Sequence, residues 1–370
     1  MALTERYVTA AAAGGGAGTE GDPWTLSEAI TNATAGDRVN VKAGTYTRSA
    51  TDSPANAGTA TSPAIWRGYH TVIGDLDDVT RTDENGDLIT TNFPVIAYNS
   101  GFRWNSTGTF NIYQNLVFTG TFAGALVQKG ADSVMHNCKV TNSSTSGSAV
   151  AAASNSRSLA LQCDFVLNGA SGGNAAYSLS TTGAIIAGCR VNGGPNIGIS
   201  ASNTGVILAC TIFGHTGHGI ACTATAGVIA IINNTIAAPN SSGTGDGINV
   251  VTGTTGRQTI LGNHITDQKA YGINLVSAAN AAFLAYNRLR DNVSGNINNG
   301  TDWAAATSLG HVTTDTGGPE TDYMDAAGGD FRLIATAAGI LGSFPYARDI
   351  GAAQSRSGGG GALIVPRLVI

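Results

Sequence analysis

Two aspartates, Asp267 and Asp291, have the spacing in this sequence that best fits acid–base catalysis. Each follows an asparagine of a repeated pattern by four residues, so stacked coils would bring the two carboxyl groups to about 5 Å apart, as in retaining glycosidases. Lys269 and His264 lie close enough in the sequence to assist proton transfer. The alternative, which we favour, is an outer turn on which acids pair with neighbouring bases.

A second polar cluster consists of His215, His218, Asp246 and Tyr271. The last three each precede a glycine that recurs with the repeat, so we predict one row across three successive coils, able to bind a glycan. Two histidines three residues apart, with an aspartate above them, could instead hold a metal ion. No spacing fixes a third and a fourth ligand, and we favour solvated turn residues over either kind of site.

An acidic segment precedes the repeat, and clustered carboxylates are the ligands that Ca2+ prefers. Its members are Asp75, Asp77, Asp78, Asp83, Glu84 and Asp87. Their spacing does not match a known calcium-binding loop, so we favour a solvated loop or a protein contact and predict no cofactor. The sequence also has no CxxC pair and no phosphate-binding Walker loop.

The elements that would position these residues come from a repeat with steps of 21 to 29 residues. Each copy is a short apolar run that ends in asparagine or cysteine: Asn115, Cys138, Cys163, Cys189, Cys210, Asn234, Asn263 and Asn287. A unit this short cannot bury its own apolar face, so the copies must stack into a solenoid. The β-branched runs between Gly, Asn, Ser and Thr predict about three short strands per coil.

The stack predicts a buried column of like side chains. Stacked asparagine amides bond to one another, whereas thiols fill the same volume without needing partners. Because coils about 4.8 Å apart do not suit a disulfide, we expect these cysteines to be reduced. An apolar inner row follows two residues later: Val117, Val140, Phe165, Val191, Ile212, Ile236, Ile265 and Leu289. Between the two lies an outward, mostly polar row: Leu116, Lys139, Asp164, Arg190, Thr211, Thr235, His264 and Arg288.

This ladder resembles that of right-handed parallel β-helices of the pectate-lyase-like superfamily. The resemblance implies an all-β, single-stranded solenoid with a short N-terminal capping helix and an irregular C-terminal cap. It leaves the activity open, because the superfamily includes lyases, glycosidases, phage tailspikes, adhesins and inert scaffolds. Its lyases resemble one another in a calcium-binding acidic cluster beside an Arg or Lys base, and that set cannot be matched to residues of this sequence.

The order of segments follows from the same pattern. Thr25 and Glu28 form a capping box for a helix over Leu26 to about Ala33, which we expect to close the bottom of the barrel. The predicted segments are an N-terminal cap and first coil (1–50), irregular early coils with the acidic segment (51–110), regular coils (111–298), a C-terminal cap (299–354), and a glycine linker with an apolar tail (355–370).

The apolar tail would promote aggregation if its side chains stayed exposed. We therefore predict that it docks on the barrel or on a neighbouring protein through its apolar side chains: Leu363, Ile364, Val365, Leu368, Val369 and Ile370. The formal net charge is −5 and no basic cluster exists, which argues against nucleic acid as a partner. The sequence has no run of eighteen apolar residues that would suggest a membrane span.

These features favour a structural component of a large assembly, most of all a phage virion protein such as a capsid decoration, head spike or tail protein. The N-terminal segment Met1–Arg6 does not resemble a signal peptide, so we expect synthesis in the cytoplasm and location in the assembled particle. A homotrimer is expected by resemblance to phage β-helices. The alternatives are a glycan-binding or glycan-cleaving enzyme of the tailspike or lyase kind, and a surface adhesin.

Overall fold

The computed structural model describes residues 3–54, 58–77, 88–106, 108–152, 157–169, 174–194, 197–223, 227–238, 243–251, 257–275, 281–298, 323–325 and 330–333. The chain folds as a right-handed parallel β-helix of about nine turns, which confirms the predicted fold class. Each regular coil contributes one strand to each of three parallel sheets, and strands of successive coils pair side by side. No helix in the described part of the chain is long and apolar enough to cross a membrane.

The strands alternate among the sheets in chain order. The first sheet contains Thr4–Val8, Asp37–Lys42, Ala64–Tyr69, Asn111–Gln114, Val134–His136, Leu159–Leu161, Ala184–Ala187, Gly205–Leu208, Ile229–Ile232, Arg257–Leu261 and Ala281–Ala285. The second contains Thr45–Arg48, Val95–Tyr98, Val117–Gly120, Lys139–Asn142, Asp164–Leu167, Arg190–Asn192, Thr211–Phe213, Thr235–Ala237, His264–Thr266 and Arg288–Arg290. The third contains Trp104–Asn105, Val127–Lys129, Val150–Ala152, Ala175–Leu179, Ile197–Ala201, Ile220–Cys222, Ile248–Val250, Tyr271–Leu275 and Gly295–Asn298.

The N-terminal helix spans Leu26–Asn32 and has the predicted capping box. The Thr25 side chain accepts a hydrogen bond from the Glu28 backbone N–H at 3.2 Å, and the Glu28 carboxylate accepts one from the Thr25 N–H at 2.7 Å. Leu26 and Ala29 are buried in the same core cluster as the barrel side chains. The helix therefore covers apolar surface that an open solenoid end would expose to water. After the last barrel strand, Tyr323–Asp325 and Asp330–Leu333 pair antiparallel.

The predicted buried column stands at the turn between the first and second sheets. The Sγ atoms of Cys163 and Cys189 each accept a backbone N–H from the coil below at 3.4 Å. Higher up, Asn234 Nδ2 donates to Asn263 Oδ1 at 3.0 Å, and Asn263 Nδ2 donates to Asn287 Oδ1 at 2.9 Å. All five cysteines are free, as predicted for the four in the column.

The first copy of the repeat is shifted by one residue from the predicted register. Lys139 pairs with Val117 and Val140 pairs with Phe118, so the column begins at Leu116, which is fully buried, and not at Asn115. Asn115 occupies the left-handed turn before the column, with φ of 57°. The same conformation recurs in the next coils at Asn137, Gln162, Gly188, Ala209, Asn233, Gly262 and Tyr286. Asparagine tolerates the left-handed conformation. The residue type alone therefore led to the wrong assignment of Asn115 to the column.

Val117 consequently faces outward, although the sequence placed it in the inner row. It packs in a separate small cluster with Leu76, Leu88 and Phe93, which belong to the segments on either side of residues 78–87. The inner position belongs to Phe118, which is completely buried in the main core. The early segment thus covers one patch of the barrel exterior.

A column of close-packed glycines marks the start of the third-sheet strands. A Cβ atom on Gly219 would lie 2.5 Å from Ile236 Cγ2 and 2.7 Å from the Gly247 carbonyl oxygen, and Gly198 and Gly247 are equally crowded. Ile236 and Gly247 are both held in the coil above, so neither can move away from an added Cβ atom at low cost. The glycines therefore allow the coils to stack at this corner.

We expect Gly219→Ala to lower the free energy of unfolding by about 2 kcal/mol, the usual cost of overpacking. Gly21→Ala is the matched control, because a Cβ atom on Gly21 would have no neighbour within 4 Å. Urea unfolding followed by circular dichroism measures both. Equal stability of the two variants would contradict the steric role of the glycine column.

Lys129 points into the barrel and is fully buried. Its Nζ donates to the Leu159 carbonyl oxygen and to the Tyr177 hydroxyl, both at 3.1 Å, and lies 5.6 Å from the centre of the Tyr177 ring. Burial lowers the pKa of this amine from 10.5 to about 8. At neutral pH the folded state therefore contains a buried ammonium group, which lowers its stability.

We expect Lys129→Met to raise the free energy of unfolding at pH 7 by about 1 kcal/mol. The pKa shift corresponds to about 3 kcal/mol, and two lost hydrogen bonds offset about 2 kcal/mol of it. Between pH 8 and 10.5 the unfolded chain binds more protons than the folded chain. The free energy of unfolding of the wild type should therefore rise relative to that of the variant as the pH rises through that window. Urea titrations at pH 7, 9 and 10 measure the difference, with Lys42→Met, at an exposed lysine, as control. A difference independent of pH would contradict the assignment.

The outward face of the first sheet is apolar over its upper strands. Cross-strand pairs align two columns that contain no charged residue: Leu159, Ile185, Val206, Ala230, Thr259 and Phe283, and beside them Leu161, Ala187, Leu208, Ile232, Leu261 and Ala285. Ile185 is 37% exposed and Phe283 54% exposed, and Val228 at the edge of this face is 50% exposed. Leu161, Ala187 and Ala285 of the second column are buried, so the exposed apolar surface belongs mainly to the first column. Exposed apolar surface of this kind is typical of interaction sites.

Candidate functional site

The predicted polar row of His218, Asp246 and Tyr271 exists at the corner that leads into the third sheet. The Gly219 N–H donates to the Asp246 carbonyl oxygen and the Gly247 N–H donates to the Tyr271 carbonyl oxygen, both at 2.9 Å. The backbone ladder therefore places the three residues directly above one another on successive coils. Neighbouring coils are separated by about 4.8 Å, the ordinary strand spacing.

The Asp246 carboxylate is the centre of this row. Oδ1 accepts the Tyr271 backbone N–H at 2.9 Å, and Oδ2 accepts the side-chain amides of Asn249 at 2.7 Å and Asn274 at 2.9 Å. The carboxylate side chain is only 3% exposed, whereas His218 is 30% exposed. These hydrogen bonds hold the Asp246 carboxylate in one orientation. They also hold the side-chain amides of Asn249 and Asn274.

Asn249 and Asn274 face outward, because the residues on either side of each are buried in the core. They pair across neighbouring strands, and Asn274 pairs in turn with Asn298. Asn298 Nδ2 donates to Asn274 Oδ1 at 2.9 Å. A chain of amides thus extends from Asp246 over three coils, and the sequence reasoning missed all three asparagines. The sequence contains a signal for them in a constant spacing. Asn249 lies three residues after Asp246, Asn274 three after Tyr271, and Asn298 three after Gly295.

His218 Nδ1 lies close to two groups of Asp246. It accepts the Asp246 backbone N–H at 3.1 Å and lies 3.3 Å from the Asp246 Oδ2 atom. Burial alone would raise the pKa of Asp246, but hydrogen bonds from His218, Asn274, Tyr271 and Asn249 outweigh it and hold the pKa below 3.8. Asp246 is therefore ionised at neutral pH and presents a fixed negative charge behind the row.

His215 does not belong to this surface row. It is fully buried, and its Nε2 contacts the Gln268 side-chain oxygen at 2.9 Å. Burial lowers its pKa to about 4, so the ring is neutral inside the corner between the second and third sheets. A fully buried imidazole offers no surface to a glycan.

The two acids Asp267 and Asp291 lie on adjacent coils, as the spacing predicted. The Asp267 N–H donates to the Arg290 carbonyl oxygen at 3.3 Å, and both aspartates have left-handed backbone conformations, with φ of 57° and 52°. Asp267 Oδ2 accepts the Thr266 hydroxyl, and Asp291 Oδ2 accepts Arg290 Nε at 2.7 Å. Each carboxylate therefore contacts the residue just before it, on the turn between the second and third sheets.

The proposed helpers of these acids are placed differently. Lys269 is half-buried on the same turn. His264 is fully buried on the second sheet, in register with Arg288, and burial with Arg288 and Arg290 nearby lowers its pKa well below 6.5. His264 is therefore a buried, neutral side chain on the strand that precedes the turn. The structure places the two acids on adjacent coils of the turn, with His264 enclosed on the second sheet.

The described part of the acidic segment is used for structural contacts. Asp75 accepts the backbone N–H groups of His70, Thr71 and Val72 at 2.7 to 3.1 Å, and these bonds outweigh burial and lower its pKa to about 2. Asp77 forms an ion pair with Arg67. Among the described residues no group of three or more His, Cys, Asp or Glu side chains could hold a metal ion. Asp78, Asp83, Glu84 and Asp87 lie outside the described residues.

The sequence matches the family described as "Right handed beta helix region" over residues 83–236 and again over residues 124–293. The chain belongs to the right-handed β-helix family. Among solved structures, this β-helix is similar to the pectate lyase Pel9A, at 13% identity over 96% of this chain and 97% of that one, with a TM-score of 0.68. No curated protein matches the sequence.

Two further solved structures share the β-helix fold. A rhamnogalacturonan lyase is 14% identical over 87% of this chain and 90% of its own, with a TM-score of 0.56. A mannuronic acid specific polysaccharide family 6 lyase from human gut microbiota is 13% identical over 80% of this chain and 66% of its own, with a TM-score of 0.53. At these identities the similarity establishes the fold and leaves the chemistry to the residues themselves.

We expect Asp246→Asn to lower the free energy of unfolding at pH 7 by about 2 kcal/mol, because charge-assisted hydrogen bonds are lost. The folded pKa lies below the unfolded value of about 3.9, so the difference should be complete above pH 5 and disappear as the pH falls through the folded pKa. Asp132→Asn is the control, since its partner Arg157 is 75% exposed and such pairs contribute less than about 1 kcal/mol. Urea unfolding from pH 7 to 3 measures both, and an equal loss in the two variants would contradict the role of Asp246.

Proposed function

We propose that this protein binds a polysaccharide along the outward face of the third sheet. The observation that carries the proposal is the partly exposed set of His218, Tyr271 and Asn274, held in place by the buried Asp246 and Asn249 side chains. Amide, imidazole and phenol groups are the donors and acceptors that sugar hydroxyl groups bind. Tyr271 and Asn274 lie on a strand, which holds them more rigidly than a loop would and reduces the entropy lost on binding.

The repeat distance of the row also suits an extended polymer. Equivalent side chains recur on successive coils at about 4.8 Å, so one face can contact several consecutive sugar residues. The half-buried Tyr271 offers an aromatic surface to the apolar side of a sugar ring. The similarity of the fold to lyases whose names specify pectate, rhamnogalacturonan and mannuronic acid supports a polysaccharide as the ligand class.

Binding to pectate, rhamnogalacturonan, mannuronate-rich alginate and a neutral galactan tests the proposal by affinity electrophoresis and calorimetry. We expect at least one polysaccharide to bind, and Asn274→Ala to weaken it about tenfold, the equivalent of one good hydrogen bond. Asn99→Ala, which removes an exposed amide that bonds Ser49, is the control and should bind as the wild type does. Unchanged affinity in Asn274→Ala, or no binding to any of the four polymers, would refute the site.

Cleavage of a bound polysaccharide remains a separate proposal, carried by the stacked acids Asp267 and Asp291. Release of reducing or unsaturated sugar ends, lost in Asp267→Asn but not in Asp132→Asn, would support it. Binding without release of ends would leave the protein as a glycan-binding module. Both features lie between the second and third sheets, with the acids directly after the second-sheet strands and the Asp246 row at the start of the third-sheet strands, and the two results are obtained from separate measurements of binding and of released ends.

A second candidate function is structural, and the apolar outward face of the first sheet favours it. We propose that a second copy of the chain covers this face, as the expected homotrimer requires. Ile185→Lys combined with Leu208→Lys should convert the oligomer to monomer in light scattering, whereas Ala35→Lys, on an exposed turn, should not. A monomeric wild type would exclude this use of the face. The tail residues 363–370 lie outside the described residues, and their docking, like the virion role, stays a prediction.

A further inference from the structure

A cleft of about 420 Å3 opens at the corner between the first and second sheets, in the early coils. In the regular coils this corner is short, and only two residues separate the strands Val134–His136 and Lys139–Asn142. In the early coil, by contrast, residues 70–94 stand between the strands Ala64–Tyr69 and Val95–Tyr98. The two ends of this long segment border the cleft together with the turn of the coil below. Loops of this kind, placed on a rigid scaffold, are where binding sites concentrate.

The lining of the cleft is polar and contains one lysine. Its polar side chains come from the turn below and from both ends of the long segment: Lys42, Thr45, His70, Thr71, Thr91 and Asn92. All six residues are exposed, and the described lining contains no carboxylate. The Lys42 ammonium group, the His70 ring and the Asn92 amide bond no other side chain or backbone group among the described residues. These three groups are therefore available to a ligand.

The wall that contains His70 is held by Asp75. The Asp75 carboxylate accepts the backbone N–H groups of His70 at 2.9 Å and of Thr71 at 2.7 Å, together with the Thr71 hydroxyl at 3.0 Å. These bonds fix the backbone that carries the His70 ring, and they compensate the negative charge of Asp75 within its own turn. A wall fixed in this way loses little entropy when a ligand binds.

The opposite wall, with Thr91 and Asn92, is anchored by Phe93. The Phe93 side chain is 2% exposed and packs in the small cluster outside the barrel, with Leu76, Leu88 and Val117. Because the Phe93 ring is buried there, the cleft has no exposed aromatic face on which a sugar ring could stack. The lining therefore offers hydrogen bonds and charge to a ligand, with little apolar surface.

The turn that carries Lys42 lies directly below both walls. The Ala43 N–H donates to the Tyr69 carbonyl oxygen at 2.7 Å, and the Val95 N–H donates to the Gly44 carbonyl oxygen at 2.8 Å. The backbone ladder thus joins the turn to the residues just outside each end of the long segment. As a result the ammonium group and the two walls belong to one rigid corner of the barrel.

The chemistry of these groups suits a phosphate group. An ammonium group binds phosphate as a point charge, and imidazole, hydroxyl and amide groups add N–H and O–H donors to its oxygen atoms. A free phosphate ion would fill only a small part of 420 Å3, which lies within the range of small-molecule sites. The remaining space is lined by hydroxyl and amide groups, which are partners for the hydroxyl groups of a polyol.

We propose that this cleft binds a phosphate monoester of a small polyol. The phosphate group contacts Lys42 and His70, and the polyol hydroxyl groups contact Thr91 and Asn92. The attraction between an exposed lysine and a phosphate group is screened by salt, so the affinity falls as the ionic strength rises. The site lies on a different corner from the Asp246 row and does not rest on polysaccharide binding.

Glycerol 3-phosphate is the probe, with glycerol as the polyol without a charge and inorganic phosphate as the anion without a polyol. Calorimetry of the full chain gives affinities, and broadening of the phosphorus NMR line reports contact with the phosphate group. We expect glycerol 3-phosphate to bind, glycerol not to compete, and phosphate to bind about tenfold more weakly because the hydroxyl contacts are missing. No binding of glycerol 3-phosphate, equal binding of glycerol, or equal or tighter binding of phosphate would each overturn the proposal.

Variants separate the two halves of the cleft. Lys42→Gln should weaken both glycerol 3-phosphate and phosphate about tenfold, because a charge-assisted hydrogen bond is lost. Lys42→Arg keeps the positive charge and should retain most of the affinity. Asn92→Ala should weaken glycerol 3-phosphate and leave the affinity for phosphate unchanged, because the amide contacts only the polyol.

The control for these variants is Arg157→Gln, which removes one positive charge at an arginine whose side chain is 75% exposed. It should leave the affinity for glycerol 3-phosphate unchanged, because Arg157 does not line the cleft. Thermal unfolding of each variant checks that the barrel is intact. Unchanged affinity in a folded Lys42→Gln variant, or an equal loss in Arg157→Gln, would refute the site.

Discussion

Coil-to-coil stacking at the buried column from Leu116 to Asn287 fixes the position of every side chain on the three sheets. Backbone hydrogen bonds align neighbouring coils, and the column adds side-chain bonds that only one register satisfies. A slip of one residue would turn each inner side chain outward. The polar row and the apolar face both follow from that register.

The same stacking gives the barrel three chemically different exteriors. The first sheet presents aliphatic side chains, the second presents Lys139, Asp164 and Arg190, and the third presents the amides around Asp246. Because outward residues on successive coils are neighbours, a few substitutions per coil create a continuous stripe of one character. A solenoid can therefore separate a glycan-binding face from a face used for association without any change of core.

Polar side chains inside the barrel are held by specific hydrogen-bond partners. Asn263 and its neighbours form a bonded chain of amides, whereas Lys129 donates to one carbonyl oxygen and one hydroxyl group. His215 is similarly buried and is held by Gln268. Two residues that looked chemically active in the sequence are enclosed by the fold: His215 in the corner between the second and third sheets, and His264 on a second-sheet strand.

The sequence alone determined the fold, because a recurring unit too short to bury its own apolar face has to stack on its neighbours. It also determined the capping box, the reduced cysteines and the alignment of His218, Asp246 and Tyr271, since a constant offset from the repeat maps to a constant place on the coil. Only the tertiary structure decided that Leu116 and not Asn115 begins the column, because asparagine suits both the buried ladder and the left-handed turn. It also decided that Arg190 contacts the Phe213 ring of the next coil, because that diagonal contact depends on how neighbouring coils lie side by side.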